Sequence, residues 1–169
     1  MRLLGAGLIL LAACGVGGVN WLDRQRRLRC LRALCEALSL LHAELKTNRT
    51  PLTRLLPYAA EQAEDRASAF LRQVSDSLTQ LGERSFSELW QEAACCQLSV
   101  LRQGELEELL SVGRVLGRFE LQEQLNTLTR CETRLRARLE QDEARSRDEA
   151  RLSLGLPAAA GALLVLLLL

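Results

Sequence analysis

Six cysteines and one histidine are the residues of this chain best suited to metal or nucleophile chemistry, and their spacing serves neither. A zinc site needs Cys and His clustered at short, regular intervals. Cys14, Cys30, Cys35, Cys95, Cys96 and Cys131 form no CxxC pair, and His42 has no second histidine to join it. Cys30 and Cys35 stand too far apart to share one helix face well, and the adjacent Cys95 and Cys96 have a spacing that rarely bridges. Reduced cysteines packed in an apolar core are the simplest expectation. His42 lies beside a leucine stripe, where a partly exposed helix residue is a plainer role than a general base. The "ELEELL" stretch, Glu105 to Leu110, supplies an acidic first helical turn that complements the helix dipole. No P-loop, GxGxxG or HExxH is present, and "GAGLIL" near the start has the wrong spacing to cradle phosphate. No catalytic residue, metal or cofactor is therefore expected.

The elements around these residues explain the chain better than the residues do. Its 169 residues are 48% hydrophobic and 25% charged, ordinary values that hide a strict segregation. Leu3 to Leu22 and Leu152 to Leu169 contain no Asp, Glu, Lys, Arg or His, while nearly every charge lies between them. The first run has the roughly 20 residues that a helix needs to cross hydrocarbon, and Trp21 sits where an interfacial aromatic belongs. The second run is shorter, with Pro157 near its entry, where a lost hydrogen bond costs least. Neither run carries the intramembrane charge that marks a transporter. Small residues at Ala13 and Gly17, or Cys14 and Gly18, offer a close-approach face to another membrane helix.

Arg24, Arg26, Arg27, Arg29 and Arg32 follow the first run, and Arg145, Arg147 and Arg151 lead into the last. The positive-inside rule then holds the middle in the cytoplasm. The same arginines could form a solvated helix face or touch anionic headgroups. A rival is carried by "LAAC", Leu11 to Cys14, which has the look of a lipoprotein box with Cys14 lipidated. The apolar run continues past Cys14 through "GVGGV", which favours an uncleaved anchor. A net charge of +1 and 4% aromatics speak against a nucleic-acid partner, which needs clustered positive charge and stacking platforms.

Between the apolar runs the helical period dominates. Leu28, Leu31, Cys35, Leu38, Leu41 and Leu45 form a core-facing stripe. It ends at Asn48, after which Thr50 suits an N-cap with Pro51 at the first helical position, and Pro57 is expected to kink or restart the second helix. A third stripe runs Phe70, Leu71, Val74, Leu78 and Leu81 to Gly82. Ser85 and Glu88 make a capping box for a fourth helix carrying Phe86, Leu89, Trp90 and Ala93. A fifth, with Leu106, Leu109, Leu110 and Leu116, closes at Gly117, and a sixth carries Leu121, Leu125, Leu128, Leu135 and Leu139. "EQDEARSRDEAR" then lacks large apolar residues but keeps helix formers, predicting a solvated helical arm. Nothing alternates with period two, so no sheet is expected.

These segments predict an all-α chain: an antiparallel bundle of about six helices flanked by N- and C-terminal transmembrane helices. The expected division is a first span at 1–22, a cytoplasmic bundle at 23–139, a charged arm at 140–151 and a second span at 152–169.

Three segments, "LHAELKTNRTPLTRLL", "LGRFELQEQLNTL" and "LGLPAAAGALLVLLLL", resemble stage III sporulation protein AB of endospore-forming bacteria. The matching positions are Thr50, Pro51 and Leu52, then Leu116 and Gly117, followed by Gln124; Asn48 and Arg49 stand where a glycine-like turn is expected. The resemblance implies a platform without substrate chemistry in the mother-cell membrane around the forespore. Its soluble domain would be similar to the helical F-type platform domain of type II secretion. The implied partners are other stage III sporulation proteins, an ATPase-like component, the lipid bilayer and, for a homo-oligomer, a second copy of the chain.

Overall fold

The computed structural model describes the backbone of residues 2–168 and the side chains of residues 22–146. Six helices follow one another: α1 Arg2–Asn48, α2 Leu52–Gln62, α3 Asp65–Ser77, α4 Phe86–Gln97, α5 Gln103–Val115 and α6 Leu121–Leu168. A single 3-10 turn, Leu78–Gln80, extends α3. Among the described residues there is no strand, only an isolated bridge between Leu81 and Arg84. The all-α bundle that the periodicity predicts is the architecture found. Among the described residues no helix is long and apolar enough to cross a membrane. The two expected spans, 1–22 and 152–169, lie, Leu22 apart, outside the residues whose side chains are described.

The long helices α1 and α6 pack side by side, and α2 to α5 fill the space between their connections. Arg27 of α1 meets Asp142 of α6, while Cys35, further along α1, lies near Glu132 and Arg136, earlier in α6, so α1 and α6 run antiparallel. The buried face of α1 is Arg27, Cys30, Leu31, Leu34, Cys35, Leu38, Leu41 and Leu45, a three-and-four spacing with one charged member. Leu28, expected in that stripe, is only half-buried. From α6 come Leu125, Leu128, Cys131, Leu135 and Leu139. Residues 140–151 continue α6 as helix, but Asp142 is buried rather than solvated.

Three local expectations change in the folded chain. Pro57 does not restart a helix; it lies inside α2, which continues past it to Gln62. Its ring is on the exposed side, so the carbonyl it leaves unpaired can face water while Leu55, Leu56, Ala59 and Ala60 hold the helix from the core. Pro51 occupies the cap position instead of the first helical one, and its carbonyl accepts from Arg54 and Leu55 at 2.9 and 3.0 Å. Thr50 does not cap; its hydroxyl donates to Glu44 at 3.4 Å. Leu81 is 46% exposed, because the chain leaves the α-helical phase at Ser77 and the tighter turn rotates Leu81 off the core face.

The Ser85–Glu88 capping box forms as expected, with Glu88 N–H donating to Ser85 Oγ at 3.3 Å and Ser85 N–H donating to Glu88 at 2.9 Å. Those bonds from Ser85 hold the Glu88 carboxyl below its usual 4.5. The cap starts α4, which delivers Trp90 to the centre of the bundle. Phe70 meets the indole edge-on at 4.7 Å, and Trp90 Nε1 donates to the Leu109 carbonyl at 3.0 Å. That bond satisfies the one polar atom of the ring inside the core. Gly113, one turn further along α5, allows this approach, since a Cβ there would fall 2.8 Å from Trp90 Cβ and closer still to the ring. Replacing Gly113 by alanine is expected to cost about 1–3 kcal/mol through overpacking, despite alanine's better helix propensity. Urea unfolding followed by tryptophan fluorescence would measure it; a variant as stable as the parent would mean that α4 and α5 part without loss.

Candidate functional site

The two ends of the bundle hold different chemistry. At the end from which the apolar runs of α1 and α6 leave, Arg27 lies between two carboxylates. It is only 6% exposed, and its two terminal nitrogens donate to Glu105 of α5 and to Asp142 of α6. Glu105 also accepts from the Arg102 N–H at 2.8 Å, so it caps α5 while it neutralises Arg27. Arg102 and Arg24 add weaker contacts to Asp142, at 3.5 Å and 3.4 Å. Burial alone would raise the Asp142 pKa, but the hydrogen bond and charge of Arg27, with Arg102 and Arg24, outweigh it. The carboxyl is held below its ordinary 3.8. Every buried side-chain polar atom among the described residues finds a partner.

The arginines after the first apolar run therefore do not act as one set. Arg26 and Arg29 are exposed, with Arg26 loosely paired to Asp23 at 3.7 Å. Arg32 binds Glu143 across to α6 at 2.5 Å. Arg27, expected with the others at a solvated or headgroup-facing surface, turns inward. Four residues before Leu31 and seven before Leu34, it shares their helix face, and the opposing carboxylates complete its hydrogen bonds. Asp142 and Glu105 carry no such expectation from the sequence. The signal for Asp142 was its place three residues after Leu139, in step with the apolar stripe.

At the opposite end the structure brings together the two motif segments. Gly117 ends α5 at φ +76°, a left-handed conformation that glycine adopts without strain. A Cβ there would stand 3.1 Å from Leu52 Cδ1, so the α5–α6 turn and the start of α2 touch. Gln124 closes the turn from α6: it accepts from Gly117 N–H at 3.4 Å and donates to the Phe119 carbonyl at 2.7 Å. Leu116 is buried and Leu52 half-buried beside it. Thr50 and Pro51 form the neighbouring turn, where Arg49 takes φ +49°, the conformation expected of a glycine. Beside this end, α5 and α6 frame an open groove of about 750 Å³, lined by Arg114, Arg118, Phe119, Glu120, Arg130 and Arg134 among others. Its walls alternate in sign, which suits a protein surface more than a small ligand.

The thiols divide by burial. Desolvation pushes Cys30 and Cys131 up to about 12 and Cys35 up to about 11, so these three remain protonated packing residues. Cys95 and Cys96 are exposed on α4, and His42 is half-buried on α1. Cys14 lies outside the residues with described side chains. No group of three or more metal-ligating side chains occurs among the described residues.

The family model of stage III sporulation protein AB matches residues 2–169. A solved structure of a stage III sporulation protein AB is similar at a TM-score of 0.65 and 26% sequence identity, covering 73% of this chain and 98% of that one. No curated protein matches the chain.

Removing Arg27 leaves two buried carboxylates facing each other. Arg27→Met is expected to lose about 3–5 kcal/mol in urea unfolding. Exchanging Arg27, Glu105 and Asp142 together for Met, Met and Leu is expected to recover most of that loss. A single change that costs nothing would show the network to be ornamental. The pH dependence has a fixed sign: a carboxyl held low in the folded state stabilises above its unfolded pKa of 3.8, and that contribution fades as pH falls through the folded value. An acid titration of unfolding free energy should therefore decline below this point in the parent and be flatter in Asp142→Asn.

Proposed function

The chain belongs to the stage III sporulation protein AB family, and from that premise we propose that it is a membrane-anchored, non-enzymatic platform of the sporulation channel complex. The observation that carries the reading is the pairing of α1 and α6. Each is one continuous helix running from an apolar run into the bundle, and the two lie antiparallel, so both runs leave from the same end. Two spans entering one bilayer require this arrangement. The arginines beside both runs support a cytoplasmic bundle, and the family supports the mother-cell membrane as its site.

A platform works by holding other proteins in position, which needs stiffness more than a reactive pocket. The all-helical core, closed by the buried ion network at one end and the Gly117 turn at the other, supplies it. Partners are other stage III sporulation proteins, including an ATPase-like component that meets the end of the bundle furthest from the bilayer. A second copy of the chain is compatible with the same geometry.

Two measurements test this. The full chain should sediment with membranes and leave them only in detergent. A reporter active only in the cytoplasm, fused at Leu98 in the α4–α5 connection, should give signal, while one active only outside should stay silent. An exclusively external signal overturns the orientation, and full recovery of the chain in a detergent-free supernatant overturns the anchoring. Fatty-acid labelling at Cys14 should be absent, since labelling would make the chain a lipoprotein instead.

A further inference from the structure

We propose that the bilayer-facing end of the bundle holds a binding site for the phosphate of an anionic phospholipid, lined by Arg102, Arg138 and Arg145. The proposal rests on the membrane-anchored reading above and adds a ligand to it. A cavity of about 210 Å³ opens there, walled by Arg102, Glu105, Arg138, Gln141, Asp142 and Arg145. It has room for about seven waters, enough for one phosphate and part of its solvation.

The charges of this cavity are unevenly spent. Glu105 and Asp142 both direct an oxygen to Arg27 behind them, and Glu105 gives its other oxygen to the Arg102 N–H. Arg102 reaches Asp142 only at 3.5 Å. Arg138 and Arg145 have no hydrogen bond or ion pair among the described residues, although both border two carboxylates. Arg27 and the three lining guanidiniums together outnumber the two carboxylates, so the cavity presents a positive excess to whatever enters. Guanidinium forks match phosphate oxygens in geometry as well as charge.

The neighbouring backbone leaves the space that Arg138 fills. Its guanidinium occupies the space beside Gly104, where a Cβ would fall 2.7 Å from Nη1. Glycine at this place leaves the cation room to lie there, although alanine would suit the helix better. No aromatic side chain lines the cavity, so a nucleotide base would find no stacking platform. The location selects lipid as the source of phosphate. At 1.5 Å per residue, Arg145 stands about 10 Å from the start of the apolar run at Leu152, within reach of the headgroup layer.

Native mass spectrometry of the detergent-solubilised full chain tests the site, with phosphatidylglycerol, phosphatidylcholine and inorganic phosphate titrated separately. Phosphatidylglycerol should bind more tightly than either of the others. Arg145→Gln, at an exposed position, should weaken it about fivefold, and adding Arg138→Gln should bring the loss to on the order of twentyfold. Gly104→Ala retains every charge and favours the helix, so its expected weakening reports displacement of Arg138 rather than misfolding. Arg54→Gln with Arg72→Gln, at exposed positions of α2 and α3, should leave lipid binding unchanged. Equal binding of the two lipids, or phosphatidylglycerol affinity unmoved by the Arg138, Arg145 and Gly104 variants, overturns the proposal. Inorganic phosphate binding as tightly as the lipid also overturns it, by making the ligand a soluble anion. All these outcomes are separate from failure of the anchoring, which sedimentation decides.

Discussion

One buried arginine organises the base of this bundle. Arg27 brings a charge into the interface between α1, α5 and α6, and a charge there is tolerable only with full hydrogen bonding and opposite charge. Glu105 and Asp142 supply both from two different helices. The geometry is therefore demanding: α5 must start where Glu105 reaches back, and α6 must remain helical long enough to deliver Asp142. Apolar residues would fill that space with less dependence on angle and register. The ionic solution fixes one relative placement of the three helices, at the end where the apolar runs depart.

The other end is held by backbone shape instead of charge. Gly117 turns the chain in a conformation that a side chain would strain, and Leu52 closes over it while Gln124 ties off the turn. Between these ends lies a conventional core with Trp90 at its centre. A scaffold of this kind keeps its two chemically different ends at a fixed separation. That division of labour agrees with membership of a family of sporulation proteins.

Much of this was legible in the residues. Apolar residues at three-and-four spacing marked every helix but α2, whose start was read from the Thr50-Pro51 turn, because burial of one face is the dominant local constraint on a short helix. Ser85 with Glu88 marked a helix start, and Gly117 a helix end, because each does a job of hydrogen bonding or backbone conformation that few residues can. The errors arose where tertiary context overrides a local rule. Pro57 stays inside α2 since packing on its opposite side outweighs the missing donor. Arg27 was grouped with neighbouring arginines by charge, although its register with Leu31 and Leu34 already aimed it at the core. Asp142 looked solvated because its segment is polar, and a partner more than a hundred residues away cannot be seen in a local pattern. The cavity beside Gly104 was illegible for the same reason.

The shared exit of α1 and α6 also has a mechanical meaning. Two antiparallel helices gripped at the same end and drawn sideways separate like a zipper, one contact layer after another, instead of sliding as a block. The first tooth of that zipper is an ion-paired layer, whose attraction falls sharply once geometry is lost and water enters. Under the anchoring proposed above, lateral tension in the lipid would thus meet a stiff but brittle clasp before it reached the softer leucine layers behind.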